Sequence, residues 1–122
     1  MTPLLAEFIG TAVLILLGGG VVANVVLNKT IGNNSGWVVI TSAWAFAVFV
    51  GVTIAAPYSG AHLNCAVTLS VYLMGQLDLI TALQYMGVQL AGAMLGAFLV
   101  WSMYKDHFGQ TEDAGAKHAV FC

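Results

Sequence analysis

Few side chains in this sequence can do chemistry, and those that can are clustered. His62, Asn64 and Cys65 fall within one short run, Ser59 to Thr68 (SGAHLNCAVT), and Glu7 interrupts a long apolar stretch near the N-terminus. His62 and Cys65, three residues apart, could ligate a metal in a membrane enzyme, with His107 or His118 completing the set. One His and one Cys fall short of the usual three or four ligands, and the two cysteines, Cys65 and Cys122, form neither a metal-spaced pair nor a disulfide framework. Asn64 points instead to hydrogen bonding. It stands before a short apolar stretch, where its side-chain oxygen can cap the first helical turn and leave its amide N–H groups free to donate. The N-terminus of such a helix adds about half a positive charge, which orients water and opposes cations. Glu7 is costly in an apolar helix, so it is either paired or exposed at the membrane interface.

These residues are carried by a chain that cannot be globular in water. It is 60% hydrophobic and 7% charged, with a mean hydropathy of +0.92. A soluble domain carries about 25% charged residues. Its only cations are Lys29, Lys105 and Lys117, and a net charge of −2 excludes a nucleic-acid footprint. Leu4 to Leu27 is apolar apart from Glu7 and Asn24. It would span roughly 36 Å as a helix, enough for a bilayer core of about 30 Å. The stretch is longer than a signal peptide's apolar region and lacks the basic segment before it. After the polar turn Asn28 to Gly36, Trp37 to Ala56 and Leu79 to Tyr104 read as two more membrane helices, and a polar segment, residues 105–122, follows.

The segment from Pro57 to Gly75 is different. Pro57 to Leu63 (PYSGAHL) reads as a loop, and Cys65 to Gly75 is apolar yet reaches only about 15 Å as a helix. A re-entrant half-helix reconciles these features. Irregular backbone at that depth is tolerated only where protein buries it or a water-filled cavity solvates it, so a pore follows. Gly92 and Gly96 form a GxxxG pair, which Gly87 and Ala91 extend into a small-residue stripe for helix packing.

The run Ser59 to Thr68 resembles the signature of the major intrinsic protein family, the aquaporins and glycerol facilitators. The family has Asn-Pro-Ala where this chain has Asn64-Cys65-Ala66. Ala6-Glu7-Phe8-Ile9-Gly10-Thr11 resembles the opening of the family's first helix, and Gln89-Leu90-Ala91-Gly92-Ala93 part of its third. The resemblance implies an all-α membrane protein: three transmembrane helices and one re-entrant half-helix, one repeat of an inverted-repeat channel. Its implied bounds are about 4–27, 37–56, 57–75 and 79–104, with a connecting loop starting at 105. It also implies that the backbone carbonyls of Gly60, Ala61, His62 and Leu63 line the pore, and that Glu7 and Gln89 support the loop.

Trp44 lies 20 residues before Asn64, where the glycerol-conducting branch places one wall of its selectivity filter; Trp37, at the helix boundary, fits an interfacial belt. The resemblance therefore implies a passive channel for glycerol, other small uncharged solutes and water in the cell membrane, with no catalysis, cofactor or metal. A water-selective channel and a non-conducting membrane fragment are the alternatives. The implied partners are the lipid bilayer, a C-terminal half that supplies the opposite pore wall, and further copies in a homotetramer. Cys65 departs from the family's proline, which is favoured at a first helical position because it lacks an N–H. Alternating spans put all three lysines on one side, cytoplasmic by the positive-inside rule and external by the resemblance.

Overall fold

Helix α1 (Pro3–Val26) begins where Thr2 can cap it. The Thr2 hydroxyl accepts from the Leu5 N–H at 3.3 Å, and Pro3 opens the helix, a position that has no use for an N–H. In this computed structural model, which describes residues 1–122, four helices follow: α2 (Trp37–Ser59), α3 (Cys65–Leu73), α4 (Leu79–Gln110) and α5 (Ala114–Ala119). Helices α1, α2 and α4 are each long and apolar enough to cross a membrane. The nine residues of α3 reach about 14 Å, half a bilayer core. The architecture is thus all-α, three spanning helices and one re-entrant half-helix.

Helix α1 is the centre of the fold. It packs along α2 on one side and α4 on the other, while α3 lies against α4 and α5 touches α1. Glycines permit the close approaches. A Cβ on Gly96 would sit 2.5 Å from the Ala12 carbonyl oxygen, and one on Gly92 closer still to that of Phe8. On the other side Gly10 faces Gly51, where a Cβ would meet the Gly10 carbonyl oxygen at 3.0 Å. Such contacts replace the hydrophobic drive that lipid removes with close van der Waals packing. The proposed extension of the stripe does not hold. Gly87 and Ala91 are exposed, and the buried line of α4 runs through Ala82, Tyr85, Gln89, Gly92, Gly96 and Val100. A helix turns about 100° per residue, so Ala91 points more than a quarter-turn away from Gly92.

Two boundaries differ from the sequence reading. Helix α2 continues through Pro57 to Ser59, so the loop begins at Gly60. Pro57 removes one donor from the last turn, but the Ser59 hydroxyl contacts the Ala55 carbonyl at 3.2 Å and Glu7 at 2.5 Å, holding the turn closed. Gly60, at φ +84°, then terminates the helix with its N–H on the Ala56 carbonyl. Helix α4 runs past Tyr104 to Gln110 because its end is tied down. Thr111 Oγ accepts from the Asn28 N–H at 2.9 Å and contacts the His107 carbonyl at 2.7 Å. Beyond it, Asp113 caps α5, and the buried Val120 joins Val22, Leu27, Ile40 and Val100 in the larger apolar cluster. The segment after α4 is folded onto the end of α1.

Substituting Gly92→Val should separate α1 from α4 at a cost of about 1–3 kcal/mol, the usual range for overpacking. Gly87→Val, on the open face, should be close to neutral. Thermal unfolding in detergent of the two variants side by side checks the pair; equal effects would contradict the packing described.

Candidate functional site

Four residues from three elements meet at the Glu7 carboxylate. Its Oε1 accepts from the His62 N–H at 2.9 Å and the Ser59 hydroxyl at 2.5 Å; its Oε2 accepts from the Leu63 N–H at 2.7 Å and the Gln89 amide at 2.9 Å. Two donors per oxygen fill the acceptor positions of a carboxylate. Glu7 is fully buried, and its neighbours answer it with hydrogen-bond donors. Gln89, 1% exposed, also donates to Thr68 Oγ at 2.9 Å, and Thr68 lies 3.1 Å from His62 Nδ1. The Tyr85 ring meets the His62 ring edge-on at 5.3 Å, and its hydroxyl donates to the Ser59 carbonyl at 3.4 Å.

These bonds hold a strained loop. Gly60, Ala61 and Leu63 all have positive φ (+84°, +53° and +52°), a region that non-glycine residues avoid at a cost of about 1–3 kcal/mol each. Glu7 secures the Leu63 N–H directly. The Leu63 side chain, 7% exposed, fills the hollow between Gly10 and Gly51 and packs with Ala6 and Ala55. The resulting backbone leaves the carbonyls of Gly60, Ala61, His62 and Leu63 without any hydrogen-bond donor from the chain. Next to them Asn64 caps α3: its Oδ1 accepts from the Ala66 N–H at 2.7 Å, and its amide nitrogen has no protein acceptor. Four free acceptors thus lead to a free donor at a helix N-terminus.

Cys65 opens α3, exposed, with its Sγ 3.7 Å from the Met86 carbonyl. Trp44 lies elsewhere, roughly 16 Å along α1 from Glu7, where its half-buried ring rests on Gly18 with no room for a Cβ. Together with Trp37, Ile40, Val22, Ala93 and Val120 it lines an apolar, open-sided cavity of about 1070 Å³. His107 contacts the Asn28 carbonyl at 3.1 Å, and no three His, Cys, Asp or Glu side chains gather as a metal site would require. The structure therefore brings together Glu7, Gln89, His62 and Leu63, leaves Asn64 and Cys65 adjacent to them, and sets Trp44 apart. Sequence reasoning missed Ser59, Thr68 and Tyr85. The first two bracket the signature run, and Tyr85 stands one turn before Gln89 on the same face of α4.

A sequence profile of the major intrinsic protein family matches residues 1–121. The chain belongs to that family. It is 49% identical over 122 residues to the probable glycerol uptake facilitator protein of Thermotoga maritima, covering 100% of this chain and 52% of the relative. It is 52% identical over 121 residues to the glycerol uptake facilitator protein of Streptococcus pneumoniae, covering 99% and 52%. Its fold is similar to the crystal structure of the aquaglyceroporin from Plasmodium falciparum, with a TM-score of 0.79 at 36% identity over 88% of this chain and 43% of that one. The chain thus spans about half the length of the relatives it matches. As a major intrinsic protein with three apolar spanning helices, it is an integral membrane protein.

The Glu7 cluster predicts the effect of a minimal change. Glu7→Gln keeps the shape but turns one acceptor oxygen into a donor facing two donors. Each buried group left unpaired should cost about 1–3 kcal/mol. The His62 and Leu63 amides should then exchange with deuterium orders of magnitude faster, as read by mass spectrometry in detergent. Unaltered exchange at both would show that the loop does not depend on Glu7.

Proposed function

We propose that this chain forms one half of the wall of a passive channel for glycerol, other small uncharged solutes and water in the cell membrane. The observation that carries the reading is the run of four unpaired carbonyls, Gly60 to Leu63, ending at the free amide of Asn64. In hydrocarbon such groups cost several kcal/mol each, so a re-entrant loop that carries them needs a polar file beside it. A hydroxylic solute can exchange its water hydrogen bonds for this ladder one at a time. The N-terminal end of α3 and the donor of Asn64 orient its oxygen at the midpoint and disfavour cations. No covalent step is involved.

The glycerol preference draws on two supports. Relatives named as glycerol uptake facilitators align with the whole chain, and Trp44 presents a broad apolar ring on the open side of α1. We assign Trp44 to a filter wall that packs the carbon backbone of a polyol while other groups bind its hydroxyls. The opposite wall, its asparagine and an arginine to complete the filter would come from the remaining length that the relatives have, and the complete channel would assemble as a homotetramer.

The reading is tested by flux into proteoliposomes. Residues 1–122 alone should carry glycerol no faster than empty vesicles, whereas the same chain extended through a second repeat should carry both glycerol and water. In the extended chain, Trp44→Ala should shift the ratio of glycerol to water permeability severalfold. Glycerol flux absent from a correctly folded extended chain would end the glycerol reading, and an unchanged ratio would remove Trp44 from the filter.

A further inference from the structure

Thr68 does not bond to its own helix in the way that three other helical hydroxyls of this protein do. Thr41, Thr53 and Ser70 each turn their hydroxyl back to the carbonyl four residues earlier, at 3.0, 2.7 and 2.8 Å. Thr68, fully buried, makes no such bond. Its oxygen receives the Gln89 amide at 2.9 Å, and its other polar neighbour is His62 Nδ1 at 3.1 Å. Gln89 cannot be reversed to change this pattern. Its amide nitrogen also faces Glu7 Oε2, where an oxygen would oppose the carboxylate. The Gln89 group is therefore the donor in both contacts, and the Thr68 proton has a single acceptor within reach, His62 Nδ1. A proton on Nδ1 would leave the Thr68 hydroxyl buried without an acceptor, which native structures avoid.

We infer that Thr68, oriented by Glu7 through Gln89, fixes the tautomer of His62, so that Nδ1 accepts and Nε2 carries the proton. Nε2–H has no acceptor in the chain, and the half-buried ring is braced edge-on by Tyr85. The inference deepens the channel reading and rests on it for its consequence. Beside four backbone acceptors, His62 contributes a donor of fixed direction. A polyol hydroxyl both donates and accepts, so a donor next to the ladder satisfies the lone pairs that carbonyls cannot. Thr68 is then a positioning residue that acts through His62.

The test separates the tautomer from the transport. The chain extended through a second repeat is labelled with 15N-histidine, placed in lipid bilayers and read by solid-state NMR. The His62 signals are assigned by their disappearance in His62→Gln. The expected result is a protonated Nε2 and an unprotonated Nδ1. Thr68→Val, which keeps the shape and removes the hydroxyl, should move the proton to Nδ1 or mix the two forms, and Thr68→Ser should restore the original pattern. In matching proteoliposomes, Thr68→Val should lower glycerol flux relative to water severalfold and Thr68→Ser should not. A proton on Nδ1 in the unsubstituted chain, or a tautomer unmoved by Thr68→Val, overturns the assignment. A moved tautomer with an unchanged flux ratio overturns the role in solute positioning. Absence of any glycerol flux in the unsubstituted chain strikes the channel reading instead, while the NMR result still decides the tautomer.

Discussion

A single buried carboxylate holds together the part of this protein that departs from simple helix packing. Glu7 sits on α1, the helix that both other spanning helices pack against, and it is bonded to the end of α2, to the loop before α3 and to α4. The loop could not keep its shape alone. Two non-glycine residues in the left-handed region, Ala61 and Leu63, together cost about 2–6 kcal/mol. That is comparable to the net worth of the two bonds that the His62 and Leu63 amides make to this charged acceptor, about 1.5–3 kcal/mol each. The carboxylate and the loop are therefore mutually required. The charge needs four donors to exist away from water, and the donors need the charge to stay in a strained turn.

The glycines of α1, α2 and α4 serve the same end. Glu7 reaches Gln89 because Gly92, three residues on, lets α4 come against the Phe8 carbonyl. It reaches the loop because Gly10 and Gly51 leave a hollow that the Leu63 side chain fills. A larger residue at any of these positions would widen the bundle by more than a hydrogen bond can stretch. Backbone proximity in lipid is usually discussed as a source of packing energy. Here it also sets the length of the bonds to the carboxylate.

Much of the fold could be read from the sequence, and the reasons for the misses are specific. Three apolar runs of membrane length identify α1, α2 and α4, and a stretch too apolar for a loop yet too short to span identifies α3. Pro57 misplaced the end of α2, because a proline marks a lost donor and says nothing of the tertiary contacts that hold Ser59 in the helix. Helix α5 has six residues, AGAKHA, and no apolar period that could reveal it. Glu7 and Gln89 stood out as polar groups in apolar helices, and the resemblance supplied the idea that they support the loop. Thr68 could not be singled out. Threonines in membrane helices ordinarily bond to their own backbone, and only the position of Gln89 on another helix shows that this one does not.

Cys65 changes the donor balance at the start of α3 in a way that the charge cluster cannot correct. A proline there would bring no N–H, whereas Cys65 brings one at the first position of α3, where no intrahelical acceptor exists. The chain supplies no other acceptor for it. The N-terminus of α3 thus carries an unpaired backbone donor beside the free amide of Asn64, and both must be satisfied from outside the chain. In the channel reading, water or a solute hydroxyl at this point meets two donors from one wall. That strengthens the preference for an oxygen lone pair and for anything that approaches oxygen first. The thiol itself turns toward the Met86 carbonyl on α4 and away from this duty. The chemical consequence of cysteine in the proline position therefore lies in its backbone.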